Sequence, residues 1–361
     1  MSKESNDMNG GGALGDTVDA LKKTSFEVFD LANKAIERGG LDKATLLQLV
    51  DAPFEDVCAA ANDIRKRCCG DAFELCSIMN VKSGKCSENC KFCAQSASWN
   101  TEVECYPFVD SQEIVAQAQA DAHAGSHRFS YVASGQRISK ADIDRACSAT
   151  KEILAETKVQ VCASFGLLDK VDFERLHAAG VSRVHNNLET SRSYFSKICT
   201  THDYDRKIQA LRDARAAGME LCSGGIIGMG ETWEDRIDLA CELRKLKVNS
   251  VPLNVLNPIP GTPLDQLEPL SLEEVCRTFA IFRFALPFTT LRLAGGRALL
   301  PEAGRACLHA GANAAISGDM LTTAGFDIPS DVRMVSAEGF SPSLIQGNEH
   351  SENCQCSGKG Q

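Results

Sequence analysis

The stretch Phe73-Glu-Leu-Cys-Ser-Ile-Met79 marks the point where the sequence begins to alternate short apolar stretches with longer helical ones. We predict strands near residues 73–79, 128–134, 158–164, 182–187, 219–225, 249–256, 289–294 and 313–317. Predicted helices fall between them, for example at 110–124, 139–155, 170–178, 203–217, 233–246, 271–284 and 301–310. Such alternation builds a parallel sheet, and eight units over about 250 residues match an α/β fold of the (β/α)8 TIM-type barrel class. An open doubly wound sheet fits less well, because the candidate chemistry follows several strand ends instead of one switch point.

The segments outside this pattern predict an extension before the barrel and a tail after it. Residues 1–16 are polar and Gly-rich, which is typical of disorder, and residues 17–72 predict an N-terminal helical extension. The barrel occupies residues 73–328, and residues 329–361 form a C-terminal segment with a flexible tail. The tail contains Cys354 and Cys356, which we interpret as incidental thiols, with metal binding or cluster delivery as the alternative.

Composition excludes several classes of protein. The chain has 361 residues, a net charge of −10 and a pI near 5.3, and no basic run or aromatic-studded basic patch indicates nucleic-acid binding. No apolar run is long enough to cross a membrane, and the N-terminus lacks the apolar core of a signal peptide. We therefore expect a cytoplasmic enzyme whose 17 cysteines stay reduced, most as small buried hydrophobes and some as metal ligands.

The first predicted strand leads into Cys86-Ser-Glu-Asn-Cys90-Lys-Phe-Cys93, which places three cysteines within eight residues at C-x3-C-x2-C spacing. Thiolates are soft ligands that suit zinc, copper(I) and iron–sulfur clusters. A structural zinc site needs four protein ligands, usually as two separated pairs. Three thiolates on one short loop instead hold three corners of a cubane cluster and leave its fourth iron open. A reduced cysteine group without function is disfavoured, because the loop has no apolar periodicity that would bury it.

This spacing is the signature of radical S-adenosylmethionine enzymes. The stretch Asn80-Val-Lys-Ser-Gly-Lys-Cys-Ser-Glu-Asn-Cys-Lys-Phe-Cys-Ala-Gln-Ser-Ala97 resembles the biotin synthase family, and the resemblance covers residues from about 73 to about 325. It implies a sulfurtransferase that uses S-adenosylmethionine and a [4Fe–4S] cluster on Cys86, Cys90 and Cys93 to convert dethiobiotin to biotin. It also implies a homodimer that receives electrons from flavodoxin or ferredoxin.

The resemblance also implies which residues bind the cofactor S-adenosylmethionine. Phe92 matches an aromatic residue that lies against adenine, with loop packing as the alternative. The fifth predicted strand ends in a glycine-rich element that the family places beside the adenosine, although a turn without a ligand has the same composition. The polar end of the fourth strand faces the ribose and the substrate, and a cation on the next helix meets the methionyl carboxylate. The residues concerned are Asn187, Glu189, Arg206, Lys207, Gly225, Ile227, Gly228 and Glu231.

Four residues match positions that bind dethiobiotin in the family. Asn187 lies between the cofactor ribose and the substrate, and Asn254 matches the residue that binds the ureido ring. An amide suits a cyclic urea because it offers both a donor and an acceptor. Thr322 and Thr323 match a pair that binds the valerate carboxylate, with a helix cap or a turn as the alternative.

The resemblance further implies a second, sulfur-donating cluster held by Cys162, Cys222 and Arg292, which lie on predicted strands three, five and seven. The family pattern adds a cysteine on strand two, where this chain has Ser130, and a hydroxyl is a poor ligand for a soft cluster. The auxiliary cluster is therefore either [2Fe–2S] or a variant. We hypothesise that Cys76, Cys199 or both replace the missing thiolate, with a plain core thiol as the alternative for Cys76.

The chemistry that the resemblance implies is radical sulfur insertion. Reductive cleavage of S-adenosylmethionine gives a 5′-deoxyadenosyl radical, which removes hydrogen from unactivated C–H bonds of dethiobiotin. Another enzyme of the same subfamily, such as a hydrogenase-cofactor maturase, would share the loop and the barrel. A non-enzymatic iron–sulfur carrier would use the cysteines alone and would not cleave S-adenosylmethionine.

Overall fold

The structure, a computed structural model, describes residues 27–323 and 325–345. Its centre is a closed parallel barrel in which the first strand pairs with both the second and the ninth. Two short strands, β5 and β6, both pair with β7, so the barrel has eight strand positions. The predicted TIM-type barrel is thereby confirmed. The strands are β1 (Ala72–Lys82), β2 (Arg128–Ala133), β3 (Gln160–Ser164), β4 (Val181–His185), β5 (Glu220–Cys222), β6 (Gly225–Ile227), β7 (Ser250–Val255), β8 (Thr290–Leu293) and β9 (Ala314–Ser317).

Helices surround the barrel close to their predicted positions. They are α1 (27–38), α2 (Lys43–Gln48), α3 (Phe54–Cys69), α4 (Ser111–Ala124), α5 (Lys140–Glu156), α6 (Lys170–Ala179), α7 (Arg192–Ile198), α8 (Tyr204–Ala216), α9 (Trp233–Lys245), α10 (Leu272–Ala285) and α11 (Ile328–Ala337). Helix α7 was not predicted, and it has only seven residues. The predicted helix at 301–310 was wrong in type: the segment is a 3-10 helix interrupted at Glu302 and Ala303, whose φ angles are 48° and 56°.

Alternate residues of the strands face different surroundings, as the two-residue period of a strand requires. Phe129 and Tyr131 of β2 are buried among apolar residues, and the Tyr131 hydroxyl donates to the carbonyl of Ala146 on α5 at 3.2 Å. The side chain of Arg128 points to the other side of the strand, into the barrel interior, and pairs there with Glu74 of the neighbouring strand β1. The apolar core therefore lies between the barrel and its helices, and the barrel interior is polar.

The segments before and after the barrel pack on its outside. In the N-terminal helical extension, Leu41 N–H donates to the carbonyl of Phe284 on α10 at 3.1 Å. No helix or strand was predicted after residue 329. The structure has helix α11 and a short strand β10 (Ser341–Pro342) that pairs with β1. The predicted disordered N-terminus and the Cys354/Cys356 tail lie outside the described residues. Within the described residues, none of the helices combines the length and apolarity that crossing a bilayer requires.

Candidate active site at the mouth of the barrel

A cavity of about 420 Å³ opens where the carboxyl ends of the barrel strands meet. Catalytic and binding groups of barrel enzymes gather at this face. The volume is sufficient for a drug-sized ligand. Many of the predicted site residues line it: Cys86, Cys90, Phe92, Cys93, Ser130, Asn187, Glu189, Lys207, Asn254, Thr322 and Thr323. The fold thus brings residues predicted from separate parts of the chain to one cavity.

The cysteine loop is held in place by its own backbone. Cys86 N–H donates to the carbonyl of Gln95 at 2.9 Å, and Ala97 N–H donates back to the carbonyl of Cys86 at 2.8 Å. The indole N–H of Trp99 donates to the carbonyl of Cys90 at 2.9 Å. These bonds fold the loop so that all three cysteines border one cavity, which fits a cluster held at three corners.

Two of the loop thiols, those of Cys90 and Cys93, are weak acids in the absence of a metal. Burial raises the pKa of Cys93 to about 11. The neighbouring thiol of Cys199, together with burial, raises the pKa of Cys90 further. A bound iron would reverse this preference, because a coordinating thiol gives up its proton to the metal charge.

Glu88 of the cysteine loop forms a group with Cys199 and His202 that was not predicted from the sequence. Their ligand atoms lie within 4.8 Å of one another, and Glu88 and His202 line the cavity. Glu88 accepts from His202 and, at 2.6 Å, from the hydroxyl of Thr201. These bonds tie residues 201 and 202 to Glu88 of the cysteine loop, and His202 Nε2 has no partner among the described residues. The spacing Cys199-Thr-Thr-His202 after a polar strand end is the signal that could have indicated it.

The glycine-rich strand end approaches the end of β4 closely. Glu189 N–H donates to the carbonyl of Gly224 at 3.0 Å, and Ile226 N–H donates to the carbonyl of Glu189 at 2.9 Å. A Cβ atom at Gly225 would lie only 2.4 Å from that Glu189 oxygen, so this position requires glycine. Ile226 lines the cavity, whereas the predicted Ile227 is buried in the core.

Glu231 stabilises the turn after β6. Its carboxylate accepts from the N–H groups of Gly228 and Met229 at 2.8 and 2.7 Å and pairs with Arg236 at 2.7 Å. Glu231 and Gly228 do not line the cavity. They therefore shape the backbone beside it.

The polar end of β4 faces the cavity with a cation beside it. Lys207 Nζ donates to the carbonyl of Asn187 at 2.9 Å and lies 3.9 Å from the carboxylate of Glu189. Burial raises the pKa of Glu189 to about 7, although Lys207 opposes the shift. Arg206 is exposed and does not line the cavity.

Asn254, predicted to bind substrate, lies on β7 next to the glycine-rich strand β6. The amide oxygen of Asn254 accepts from Gly295 N–H at 2.9 Å, and its amide nitrogen donates to the carbonyl of Gly225 at 3.1 Å. These bonds fix the orientation of the amide at the cavity wall. Thr322 and Thr323 lie in a loop after β9 and cap no helix among the described elements.

Below the cavity, the barrel interior holds a second group of thiols. We call Cys76, Ser130, Cys162, Cys222 and Arg292 the floor site. The three cysteines and Arg292 are buried, and Ser130 pairs in register with Cys162. Burial raises the pKa of Cys76 to about 12, and the charges of Cys162, Cys222 and Arg292 are close enough to affect it. Cys199, the other candidate substitute for a thiolate, lies instead beside the cysteine loop, where its Sγ is 3.5 Å from Asn89 Oδ1 and 3.5 Å from His202 Nδ1.

A buried ionic network lies beneath the floor site. Glu74 pairs with Arg128 at 2.9 Å, with Arg183 at 3.1 Å and also with Arg292. Burial alone would raise the pKa of Glu74, but the three guanidinium groups outweigh it and hold this pKa at about 2. Arg183 also pairs with Glu220 at 2.7 Å, so three cations face two anions. The excess positive charge favours anionic ligands at the floor.

Several buried polar atoms around the floor site have no hydrogen-bond partner among the described residues. They are Ser130 Oγ, Ser250 Oγ, Arg292 Nε and Nε2 of His185, a cavity-lining residue. Such atoms are rare in folded proteins and call for an occupant that would satisfy them. Three thiols, positive surroundings and unpartnered polar atoms together fit a second iron–sulfur cluster.

Comparison with solved structures supports the barrel. Methylornithine synthase superposes with a TM-score of 0.76 at 21% identity, covering 87% of this chain and 98% of that chain. The FeFe-hydrogenase maturase from Carboxydothermus hydrogenoformans gives a TM-score of 0.75 at 15% identity, covering 91% and 83%. At these identities the similarity shows a shared fold.

Comparison of sequences identifies the family. The model of the Radical SAM superfamily matches residues 80–243, and that of the Biotin and Thiamin Synthesis associated domain matches residues 252–341. Biotin synthase of Brachyspira hyodysenteriae is 49% identical over 323 residues, 90% of this chain and 97% of that protein. Biotin synthase 2 of Corynebacterium diphtheriae is 50% identical over 325 residues, 90% of this chain and 98% of that protein. With this identity over nearly its whole described length, the chain belongs to the biotin synthase family.

Proposed function

We propose that this protein is a biotin synthase, which inserts sulfur into dethiobiotin to form biotin. One observation carries the proposal: a single cavity joins the three loop cysteines to Asn254 on one wall, and Ser130 of the floor site borders it below. A radical formed at the loop would therefore meet a substrate held over a sulfur source. Family membership supports the same assignment.

Cys86, Cys90 and Cys93 would hold the [4Fe–4S] cluster. When bound, that cluster supplies the electron that cleaves S-adenosylmethionine to methionine and a 5′-deoxyadenosyl radical. Phe92 borders the same cavity and offers a ring face to the adenine. Lys207 provides the positive charge that orients the methionyl carboxylate, as a point charge without the two-pronged geometry of arginine.

Asn187 and Glu189 would orient the ribose of the cofactor. Asn187 Oδ1 accepts from Gly224 N–H at 3.1 Å, which fixes its side chain beside the glycine-rich strand. Glu189 Oε2 is buried without a partner among the described residues, so a ribose hydroxyl is a suitable donor to it. The raised pKa of Glu189, about 7, would fall on binding, because a donated hydrogen bond stabilises the carboxylate.

The substrate would lie in the same cavity, held at two points. Asn254, already fixed by two backbone hydrogen bonds, would bind the ureido ring of dethiobiotin. Thr322 and Thr323 would bind the valerate carboxylate at the outer edge of the cavity. Holding the substrate at both ends places its reactive carbons in a fixed position and excludes water from them.

For the auxiliary cluster we propose Cys162 and Cys222 as ligands, with Cys76 replacing the thiolate that Ser130 lacks and Arg292 beside them. The surroundings of Cys76 support this choice, since it lies among these residues, while Cys199 contacts Asn89 and His202 beside the cysteine loop. Cys76→Ala should therefore lower the iron and sulfide content, and the matched Cys199→Ala should retain the wild-type content. Equal contents in both variants would contradict the role of Cys76.

Anaerobic reconstitution followed by Mössbauer spectroscopy and an assay with dethiobiotin tests the whole proposal. We expect two cluster species and formation of biotin. Replacing Cys86, Cys90 and Cys93 together by Ala should remove one species and all cleavage of S-adenosylmethionine. Cleavage without biotin formation would indicate a radical enzyme with another substrate, and no cleavage would indicate an iron–sulfur carrier. Flavodoxin or ferredoxin as donor, the cytoplasm as location and a homodimer remain proposals that the family resemblance alone supports.

A further inference from the structure

His185 lies in the barrel interior at the end of a strand, and the proposed function gives it no role. It is the last residue of β4 and pairs in register with Cys222 of β5. Arg183, two residues earlier on the same strand and therefore on the same face, pairs with Cys162 of β3. His185 thus stands between the two strands that carry the proposed auxiliary-cluster cysteines.

The imidazole of His185 offers an unused nitrogen. Its Nε2 atom is buried and has no hydrogen-bond partner among the described residues, although the residue lines the cavity. Leaving a buried polar atom unpaired is unfavourable, so an absent partner is the simpler explanation. A neutral imidazole has one nitrogen with a free lone pair, so an unpartnered Nε2 can act as a metal ligand.

Arg292, by contrast, already uses its terminal nitrogens. Its Nη1 donates to the carbonyls of Ala315 at 3.0 Å and of Glu74 at 3.3 Å, and its Nη2 pairs with the carboxylate of Glu74. A protonated guanidinium has no lone pair to give to a metal. Arg292 is therefore held as a cation beside the floor site, and its free Nε is a donor.

We propose that His185, through Nε2, is the nitrogen ligand of the auxiliary cluster, together with Cys162, Cys222 and Cys76. This inference rests on the proposed function, because it requires that an auxiliary cluster forms at the floor site. Imidazole is an established ligand of iron–sulfur clusters in Rieske centres, where it replaces thiolate and raises the reduction potential. Here it supplies a fourth ligand in a barrel whose second strand carries the hydroxyl of Ser130.

Selective isotope labelling with pulsed EPR tests the ligand directly. The chain with Cys86, Cys90 and Cys93 replaced by Ala is reconstituted anaerobically and reduced, so that the auxiliary cluster alone contributes the signal. Protein labelled with ¹⁵N only in histidine should show a nitrogen coupling of the size of a directly bonded ligand. Protein labelled with ¹⁵N only in the arginine guanidinium should show no coupling of that size.

Two substitutions sharpen the assignment. His185→Cys should retain the cluster iron, abolish the histidine coupling and lower the reduction potential, because thiolate replaces imidazole. His185→Ala should lose most of the auxiliary iron, and circular dichroism establishes whether it is folded. His309→Gln, on the exposed pair with Glu338, is the matched control and should leave the coupling and the potential unchanged.

The outcomes separate this inference from the proposed function. An auxiliary cluster that forms without any strong histidine coupling, or that shows the coupling with arginine label, overturns the role of His185 and leaves the biotin synthase assignment standing. A chain that forms no second cluster in the wild type contradicts the proposed function itself. A coupling that persists in His185→Cys would also overturn the inference, because it would arise from another histidine.

Discussion

The two thiol groups of this barrel are assembled in opposite ways. The cysteine loop takes Cys86, Cys90 and Cys93 from eight consecutive residues, and its shape is fixed by hydrogen bonds within residues 86–99. The floor site takes its cysteines from β1, β3 and β5, separated by tens of residues. The loop geometry is local, whereas the floor exists only once the barrel has closed.

The two groups also differ in charge. At the loop, burial and a neighbouring thiol raise the pKa values of Cys93 and Cys90. At the floor, burial raises the pKa of Cys162, but the guanidinium groups of Arg128 and Arg183 oppose it. At the floor the arginine side chains favour negatively charged ligands. At the loop the thiols lose their protons only when the charge of a bound metal stabilises the thiolates.

The largest effect should come from separating the two groups. Cys90→Ala should abolish cleavage of S-adenosylmethionine, because a loop with two thiolates does not retain the cluster. Cys162→Ala should leave cleavage measurable but abolish biotin formation. Product analysis of 5′-deoxyadenosine and biotin in the same anaerobic assay distinguishes the two, and loss of cleavage in both variants would show that the groups depend on each other.

The next largest effect concerns the charge of the floor. Glu74→Gln should lower the free energy of unfolding by about 3–5 kcal/mol, because it leaves three buried arginines without their shared carboxylate. Asp63→Asn is the control, since its pair with Arg67 is exposed and should contribute less than about 1 kcal/mol. Urea titrations measure both, and equal effects would show that the network does not stabilise the barrel.

The same carboxylate predicts a pH dependence. The pKa of Glu74 lies at about 2 in the folded protein, below its ordinary value of 4.5. A depressed pKa contributes stability that is complete above the ordinary value and is lost as the pH falls from there through 2. The difference in unfolding free energy between wild type and Glu74→Gln should therefore shrink between pH 5 and about pH 2. A difference that stays constant over this range would contradict the assigned pKa.

The contrast between loop and floor explains what the sequence could predict. All eight strand positions followed from the alternating pattern, and the cysteine loop followed from spacing within eight residues. The sequence did not predict the ion pairs of Glu74 or the proposed role of His185, because the residues around each come from strands distant in the sequence. The sequence also did not show which of Arg206 and Lys207 faces the cavity. Adjacent helical residues point about 100° apart, and only the position of the helix shows that Lys207 is the one.

A smaller effect should separate substrate binding from both clusters. Asn254→Ala should raise the KM for dethiobiotin by about 5- to 150-fold, because it removes hydrogen bonds to the substrate worth about 1–3 kcal/mol. The amide that makes them is fixed by two hydrogen bonds to the backbone. The Mössbauer spectra of both clusters should remain those of the wild type. A changed auxiliary spectrum would mean that Asn254 supports the floor and that the wall and the floor are one unit.

The smallest effect is expected at the loop after β9, where Thr322 and Thr323 line the cavity. Thr322→Val and Thr323→Val should each raise the KM for dethiobiotin by up to about tenfold, since each removes one hydrogen bond worth about 0.5–1.5 kcal/mol. Valine retains the size of the side chain, so the loop should keep its backbone bond between Met320 and Thr323. A substrate analogue whose carboxylate is replaced by a neutral amide should show a smaller difference between wild type and variants. Equal losses for the acid and the amide would mean that these threonines shape the cavity edge without binding the carboxylate, and the substrate would then be oriented by the inner wall alone.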